Sequence, residues 1–301
     1  MGILFFLLSV AGSFVVFSLV GIMSGWFDRK ITARLQWRVG PPWWQNFIDF
    51  VKLTGKETLI PENANEKIFL LAPVIGIVSL SVTGAFLISG LYQTVKWDLF
   101  IFIYLLMIPS IAIFLAGSSS GNVLASVGAG RELRLMLSYE FPFIIALLVP
   151  VIKSGATEIF DIVRFQMTEG INIGYVSGFL AFFVSLLAFM GKLGYIPFDV
   201  SEAETEIAAG ALVEYSGLPL ALFKLMKWIL LSVGISFMVV YFMGGFKNIF
   251  TGILKYIGVL VLIILIKNTN PRLRTDQILR FSWGWLTVFG FVAVIFALMG
   301  Y

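Results

Sequence analysis

A cluster of acidic residues lies between two long apolar runs of this sequence, in the segment PFDVSEAETEIAAGALVEYSG at residues 197–217. The segment contains no lysine, arginine or histidine, and its five acids are Asp199, Glu202, Glu204, Glu206 and Glu214. Carboxylates this close repel one another, so they need a cation or a shared proton. Repulsion also spreads their pKa values, which lets such a cluster take up and release protons near neutral pH. The segment is therefore a candidate site of proton transfer.

Some of these acids also have a purely structural explanation. Ser201 with Glu204 fits a capping box, and Asp199 with Glu202 is an alternative capping pair. Acids in the first turn of a helix interact favourably with the helix dipole, by about 0.3–1 kcal/mol each. The two acids farther along the segment lie too deep in the helix, or beyond it, for either effect to explain them.

Basic residues that could pair with these acids occur elsewhere in the sequence, close to the ends of apolar runs. They are Arg131, Arg134, Lys192, Lys224 and Lys227. For Lys224 and Lys227, a side chain that reaches out to the membrane interface explains the position as well as proton transfer does.

One carboxylate enters an apolar run. The segment GSSSGNVLASVGAGRELRLMLSYEFPF, residues 117–143, places Glu140 just inside apolar sequence, with Pro142 two residues later. A carboxylate in a membrane helix costs free energy unless it is paired, hydrated or protonated, and it marks an ion or proton path by default. The proline frees backbone groups there, which suits a hydrated cavity. The structural alternative is a side chain that only reaches for the interface.

The composition indicates the environment of these charged residues. The 301 residues are 59% hydrophobic and 13% charged, with a mean hydropathy of +0.97, whereas a soluble domain carries about 25% charged residues. The chain is therefore predicted to lie in a membrane. It has no cysteine and no histidine. This excludes disulfides, cysteine nucleophiles, thiolate ligation of iron–sulfur clusters and the usual haem and zinc ligands.

Eight apolar segments predict an all-α polytopic membrane protein that forms a single integral membrane domain over residues 1–301. The predicted spans are 3–25, 68–91, 98–117, 138–152, 174–196, 219–243, 250–266 and 282–300. The first has no basic flank before it, so we expect a retained helix rather than a signal peptide. One side holds 16 of the 21 Lys and Arg residues and the other side holds five. By the positive-inside rule the first side faces the cytoplasm, and both termini lie outside.

Long connections are predicted on the cytoplasmic side, at residues 26–66, 118–137, 197–218 and 267–281. Within the first, WWQNFIDFVKLTGKE (43–57) places its apolar residues on one helical stripe. Such a helix either lies among the lipid headgroups, as its two tryptophans indicate, or packs on protein. The last connection is short and basic, so it is either a docking surface or a positive-inside anchor. Asp276 there either caps the following helix or pairs with Arg272 or Arg280.

Four motifs, in order along the chain, resemble one family. They are DRKITARLQWRVGP with DFVKLTGKE…P (28–61), GSSSGN…GAGRE…SYE (117–140), PFDVSEAETEI…EYSG (197–217) and PRLRTDQILRFSW (271–283). Together they resemble the cytoplasmic loops of the H subunit of bacterial complex I, of mitochondrial NADH dehydrogenase subunit 1, and of the related subunits of membrane-bound hydrogenases. The resemblance covers almost the whole chain.

The resemblance implies a subunit that anchors a soluble redox arm to a membrane arm and holds no redox cofactor, catalytic residue or metal of its own. It implies that the five acids of residues 197–217 form an acidic funnel and that Glu140 is the next carboxylate inward. Lys192, Lys224 and Lys227 are grouped with them as candidate coupling residues. The candidates for loop pairing and docking are Arg29, Arg34, Arg38, Arg131, Glu132, Arg134, Arg272, Arg274 and Asp276.

Two departures from the quinone-reducing members favour the hydrogenase branch of this family. Quinone-reducing members carry an acidic and an arginine position just before PFD, whereas this chain reads GKLGYIPFD, with Lys192. The SSSGN and GAGRE pattern is also more similar to the hydrogenase branch. That branch implies a nickel–iron site and iron–sulfur clusters in partner subunits: soluble hydrogenase-like large and small subunits and an iron–sulfur subunit. Antiporter-like membrane subunits and lipid are the other expected partners, and nucleic acid is not one.

The predicted function is that of a non-redox anchor and coupling subunit of a membrane-bound hydrogenase, or of a related ferredoxin-driven complex, in a prokaryotic plasma membrane. It would relay protonation changes to ion-translocating subunits. One alternative is the quinone-chamber subunit of an NADH–quinone oxidoreductase. An alternative of another class is a stand-alone ion transporter, although transporter sites lie near the membrane midplane and these charges cluster at the cytoplasmic interface. An inert anchor is the purely structural alternative.

Overall fold

The computed structural model describes residues 2–91, 97–208, 210–246 and 248–301. These residues form helices joined by turns and irregular connections, and they form no strand. The helices are α1 Gly2–Leu35, α2 Gln45–Thr54, α3 Glu66–Leu91, α4 Leu99–Ser119, α5 Val123–Ser154, α6 Ile159–Glu169, α7 Val176–Leu193, α8 Glu204–Ile207, α9 Gly217–Met243, α10 Ile249–Thr269, α11 Thr275–Arg280 and α12 Thr287–Leu298. A π-helical segment, Phe281–Leu286, joins α11 to α12, and 3-10 turns lie at Asn172–Gly174 and Gly210–Leu212.

Eight of the described helical stretches are long and apolar enough to cross a membrane. They are α1, α3, α4, α5, α7, α9, α10 and the continuous stretch from α11 to α12. The outside location of both termini stays a prediction. The predicted all-α membrane fold with eight spans is confirmed.

Helix α9 forms the centre of the bundle. In its most apolar stretch 89% of the residues are buried in the protein, against 22% for α1 and 28% for α10. Phe237 of α9 stacks on Phe102 of α4, with 4.2 Å between the ring centroids. Gly234 of α9 admits the ring of Phe189 from α7, because a Cβ there would lie 2.0 Å from that ring. The peripheral helices α1 and α10 therefore present most of their apolar surface outward.

Helix α5 is longer than the sequence indicates. It begins at Val123, so most of the connection predicted at 118–137 is helical, and the span predicted at 138–152 is its second part. Asn122 caps it by accepting a backbone N–H of the first turn at 2.7 Å. The glycines and charged residues at the start of α5 are typical of a loop. In the structure they are helical, and this part of the helix packs against Gly210–Leu212. The helix therefore begins well before the apolar run does.

The amphipathic helix predicted within 43–57 is α2. Asn46 on its polar face is buried against α1, where it donates to the carbonyl of Ile22 at 3.1 Å and accepts from Nη1 of Arg29 at 2.7 Å. The residues of the predicted apolar stripe are exposed: Trp44, Phe47, Ile48 and Val51. The face that carries Asn46 therefore packs on the protein, and the predicted apolar stripe faces outward.

Two buried amides hold the C-terminal end of α9, and one of them is Asn172, which donates from Nδ2 to the carbonyl of Tyr241 at 3.1 Å. Gln166 of α6 donates from Nε2 to the carbonyls of Val240 and Tyr241, at 3.3 and 3.0 Å. Its Oε1 accepts the N–H of Gly244 at 2.8 Å. The last carbonyls of a helix have no partner within it, so the short helix α6 serves as a cap for the central helix.

We expect Gln166→Leu to lower the free energy of unfolding by about 2–4 kcal/mol, because it leaves buried backbone groups without partners. Thr168→Ala is the matched control, since this exposed hydroxyl bonds to carbonyls of its own helix, and we expect a change of less than about 0.5 kcal/mol. Chemical unfolding of the solubilised protein measures both variants. Equal stabilities of the two would contradict the capping role.

Candidate functional site

The acidic segment 197–217 folds back on α5 with little regular structure of its own. Gly128 of α5 permits the close approach, because a Cβ there would lie 2.4 Å from the backbone nitrogen of Ala211. Gly210 has a φ of +58°, and a Cβ there would lie 1.9 Å from the carbonyl oxygen of Ser201. Glycine at these two positions therefore brings the backbone of the segment into contact with α5.

The capping pairs predicted in this segment are wrong. α8 is a single turn that begins after Ala203, and no side chain caps it. The buried hydroxyl of Ser201 instead forms a hydrogen bond with the carboxylate of Glu132 on α5. A helix of four residues gains little stability from a cap. The Ser201 hydroxyl therefore bonds to the nearby carboxylate on α5 instead. The side chain of Glu204 lies outside the described residues.

Ion pairs tie the segment to three other parts of the chain. The pairs are Asp199–Arg272, with 2.6 Å between nitrogen and oxygen, Glu202–Lys227, and Glu206–Arg131, with 2.5 Å. The cations come from the stretch before α11, from α9 and from α5. The last acid, Glu214, accepts a hydrogen bond from Nδ2 of Asn122, the cap of α5. A displacement of the segment would therefore change several charge pairs at once.

Asp199 sits in a partly buried position that alters its titration. Burial is the largest influence and raises the pKa of its carboxyl above the usual value. The Arg272 guanidinium opposes this shift, and the carboxylate of Glu202 adds to it. As the pH falls, Asp199 therefore takes up a proton, and weakens its pair with Arg272, at a higher pH than an exposed aspartate would.

A second ion pair lies inside the bundle. Glu140 of α5 is paired with Lys192 of α7, and both side chains are buried, at 10% and 1% exposure. The Lys192 ammonium also lies 4.9 Å from the ring centroids of Tyr139 and Phe143. The second carboxylate oxygen of Glu140 is buried without a hydrogen-bond partner. The site therefore holds a compensated charge pair with one oxygen left to accept a proton.

Hydroxyl groups lie between the acidic segment and this buried pair. The Glu132 carboxylate hydrogen-bonds with the hydroxyls of Ser201 and Ser110. The Ser110 hydroxyl lies 2.7 Å from that of Tyr139, whose ring faces Lys192. These groups lie in order between the acidic segment and the Glu140 pair, and the last contact is between the Tyr139 ring and the Lys192 ammonium. Ser110 and Tyr139 are absent from the sequence prediction, because nothing in an apolar span marks one hydroxyl as functional.

The remaining predicted residues lie on the surface. Arg34, Arg38, Arg134, Lys224, Arg274 and Asp276 are exposed. Arg29 pairs with Asp49 at 2.9 Å and so fastens α2 to α1. Asp276 lies in the first turn of α11 and not at its N-cap, which is Arg274. Asp28 and Lys267, which the sequence did not single out, form a further pair at 2.7 Å between α1 and α10.

A cavity of about 440 Å³ opens beside the Glu202–Lys227 pair. Lys224, Tyr215 and Phe223 contribute to its wall. A space of this size holds several water molecules, each of which occupies about 30 Å³ in the liquid. Within the part of the chain that the structure describes, no group of three or more Asp, Glu, His or Cys side chains is placed to bind a metal ion. The arrangement suits proton movement along carboxylates, hydroxyls and water.

Comparison with known proteins places this site in a family. The sequence pattern of the NADH dehydrogenase family matches residues 8–298. The chain belongs to the NADH dehydrogenase family. The resemblance inferred from the four motifs is therefore confirmed.

Relatives in this family match nearly the whole chain. The H subunit of the NADH-quinone oxidoreductase of Dehalococcoides mccartyi strain CBDB1 is 34% identical over 94% of this chain and 82% of its own length. That of Carboxydothermus hydrogenoformans is also 34% identical, over 93% and 84%.

A solved structure with a similar fold is a chain of the membrane-bound sulfane sulfur reductase, an archaeal respiratory membrane complex. It has a TM-score of 0.89 at 26% identity and covers 97% of this chain and 99% of that one. The chain is thus a membrane protein similar to these H subunits, with the fold of that family.

Two glycines of the GAGRE motif allow a matched test of the site in this NADH dehydrogenase family member. We expect Gly128→Ala to displace the acidic segment from α5, since the added Cβ meets the backbone of Ala211. Gly130→Ala is the control, because a Cβ there has nothing within 4 Å. Crosslinking between cysteines introduced into the segment and α5 reports the displacement. Equal crosslinking yields in the two variants would contradict the close-packing argument.

Proposed function

We propose that this chain is a non-redox membrane subunit of a complex I-like respiratory complex, in which it docks a soluble redox arm and passes protonation changes to ion-translocating partners. The observation that carries the proposal is the series of charge pairs that leads from Asp199–Arg272 to the buried Glu140–Lys192 pair. The related H subunits and the respiratory complex with the same fold support it.

The coupling step follows from a change in charge pairing. A nearby cation favours the ionised form of a carboxylate, so a carboxylate that loses its cation takes up a proton more readily. If the docked arm shifts the acidic segment, Glu206 separates from Arg131 and Glu202 from Lys227, and each freed carboxylate then favours protonation. The hydroxyls of Ser110 and Tyr139 give a proton a route to Glu140. The change in charge at Glu140 then alters the electrostatic potential at neighbouring membrane subunits.

We expect Glu140→Gln and Glu206→Gln each to abolish ion pumping coupled to turnover, because an amide cannot take up the proton that the relay needs. Assembly of the complex is expected to survive in Glu206→Gln, because that pair is partly exposed. Assembly of Glu140→Gln is measured alongside pumping, because this variant leaves the buried Lys192 charge without its partner. Ion uptake into proteoliposomes that contain the purified complex measures coupling, and native electrophoresis measures assembly.

Glu169→Gln is the control for these variants, because Glu169 is an exposed acid at the end of α6, away from the charge series. It is expected to pump like the wild type. Normal pumping in both Glu140→Gln and Glu206→Gln would refute the relay and leave the chain as an inert anchor.

Within this family we propose the branch of membrane-bound hydrogenases and related ferredoxin-driven complexes. Lys192, which distinguishes the stretch before PFD from that of quinone-reducing members, is buried and pairs with Glu140. The solved relative is a sulfane sulfur reductase, so the same fold serves a complex whose name specifies an acceptor other than quinone. The nickel–iron site and iron–sulfur clusters would lie in soluble partners, and antiporter-like subunits would complete the membrane arm.

The quinone-chamber function is the second candidate, because the relatives at 34% identity are named as H subunits of NADH-quinone oxidoreductase. Purification of the complex through a tag on this chain separates the two. We expect nickel in the preparation and nickel-binding cysteines in the large soluble partner. A nickel-free preparation that reduces quinone would favour the quinone branch, and a chain that purifies alone would favour a stand-alone transporter.

A further inference from the structure

Trp37 is the most exposed large apolar side chain of the chain that the structure describes. It follows the last turn of α1 directly and is 98% exposed. Its φ is +60°, in the left-handed region. Only one other described residue besides glycine, Ala208, has a positive φ. Contacts within the chain therefore do not explain why a tryptophan occupies this position.

The backbone conformation comes from the way in which α1 ends. The N–H of Arg38 bonds to the carbonyl of Ala33 at 2.7 Å, and the N–H of Trp37 bonds to that of Arg34 at 3.1 Å. This is a Schellman motif with Trp37 at its left-handed position, which glycine occupies in most helices. A side chain there costs roughly 1–2 kcal/mol. The indole gains almost no contact with the chain in return, so a glycine would serve the fold better.

Helix α1 carries Trp37 away from the apolar run. The first charged residue of α1, Asp28, pairs with Lys267 at the end of that run. The helix continues for seven more residues to Leu35, which corresponds to about 10 Å at 1.5 Å per residue, and Trp37 lies in the turn that follows. The headgroup layer adds only about 5–8 Å on each side of the hydrocarbon core. The chain then turns back, since Asn46 of α2 bonds to the carbonyl of Ile22.

Basic side chains flank this indole. Arg34 and Arg38 are exposed on either side of it, and Val39 beside them is also exposed. Tryptophan and arginine are the residues that most often dominate the binding energy of protein interfaces. We propose that Trp37 is an anchor that inserts into an apolar pocket of a soluble protein partner, with carboxylates of the partner facing Arg34 and Arg38. This inference rests on the proposed function for the presence of a docked soluble arm.

The test is to rebind the soluble arm to membranes that carry the membrane arm after the soluble arm has been stripped off. We expect Trp37→Gly to weaken rebinding at least about tenfold, as loss of an interface anchor does. The same variant is expected to leave the stability of the membrane arm unchanged or higher, because glycine relieves the left-handed conformation. Trp37→Phe, which keeps an aromatic ring, is expected to retain most of the affinity. Rebinding of Trp37→Gly with the affinity of the wild type would overturn the proposal.

Trp285→Ala is the matched control, because Trp285 is 67% exposed but lies in a membrane span. It is expected to rebind like the wild type. The bilayer is tested by a fluorophore attached at Gln36→Cys, a unique site since the chain has no cysteine. Quenching of that fluorophore by nitroxide-labelled lipids in stripped membranes would overturn the proposal. If wild-type membranes bind no soluble arm, the proposed function itself fails, whereas a defect limited to Trp37→Gly supports both.

Discussion

The ion pair between Glu140 and Lys192 is the interaction on which the polar centre of this bundle depends. Both groups are buried in apolar surroundings, where either charge alone would cost several kcal/mol. α5 and α7 must therefore remain in contact. Gly191 makes that contact close, because a Cβ there would lie 2.7 Å from the ring of Tyr139. Once α7 holds α5 in place, the position of the acidic segment follows.

Helix α5 is the element through which these contacts are connected. It carries the side chains that meet the acidic segment and those that meet the buried pair: Asn122, Arg131, Glu132, Tyr139 and Glu140. The helix is continuous from Val123 to Ser154, so groups near its N-terminal end and in its interior move together. Pro142 removes the hydrogen bond to the carbonyl four residues earlier, which softens the helix close to Glu140. The charge pairs and the helix are thus parts of one mechanical unit.

The sequence allowed the eight spans to be predicted, because hydropathy is a local property and the runs are long. Of the five cations that the sequence offered for the acids, Arg131, Lys192 and Lys227 pair with carboxylates. The other two, Arg134 and Lys224, are exposed. The predicted connection at 118–137 was wrong for most of its length, because the start of α5 is polar and glycine-rich and yet helical. The roles of Ser110 and Tyr139 were out of reach, because they depend on contacts between helices that are distant in sequence.

The irregular backbone of the acidic segment has a consequence for how the molecule opens. Among the described residues between 198 and 216, the backbone forms short turns, such as the bonds from Glu206 to Ala203 and from Tyr215 to Leu212. Regions with few backbone hydrogen bonds open locally at a lower free energy than the helices around them. The segment therefore behaves as a separate, weakly cooperative unit set into a rigid bundle. A conformational signal can pass through it without any transmembrane helix having to unfold.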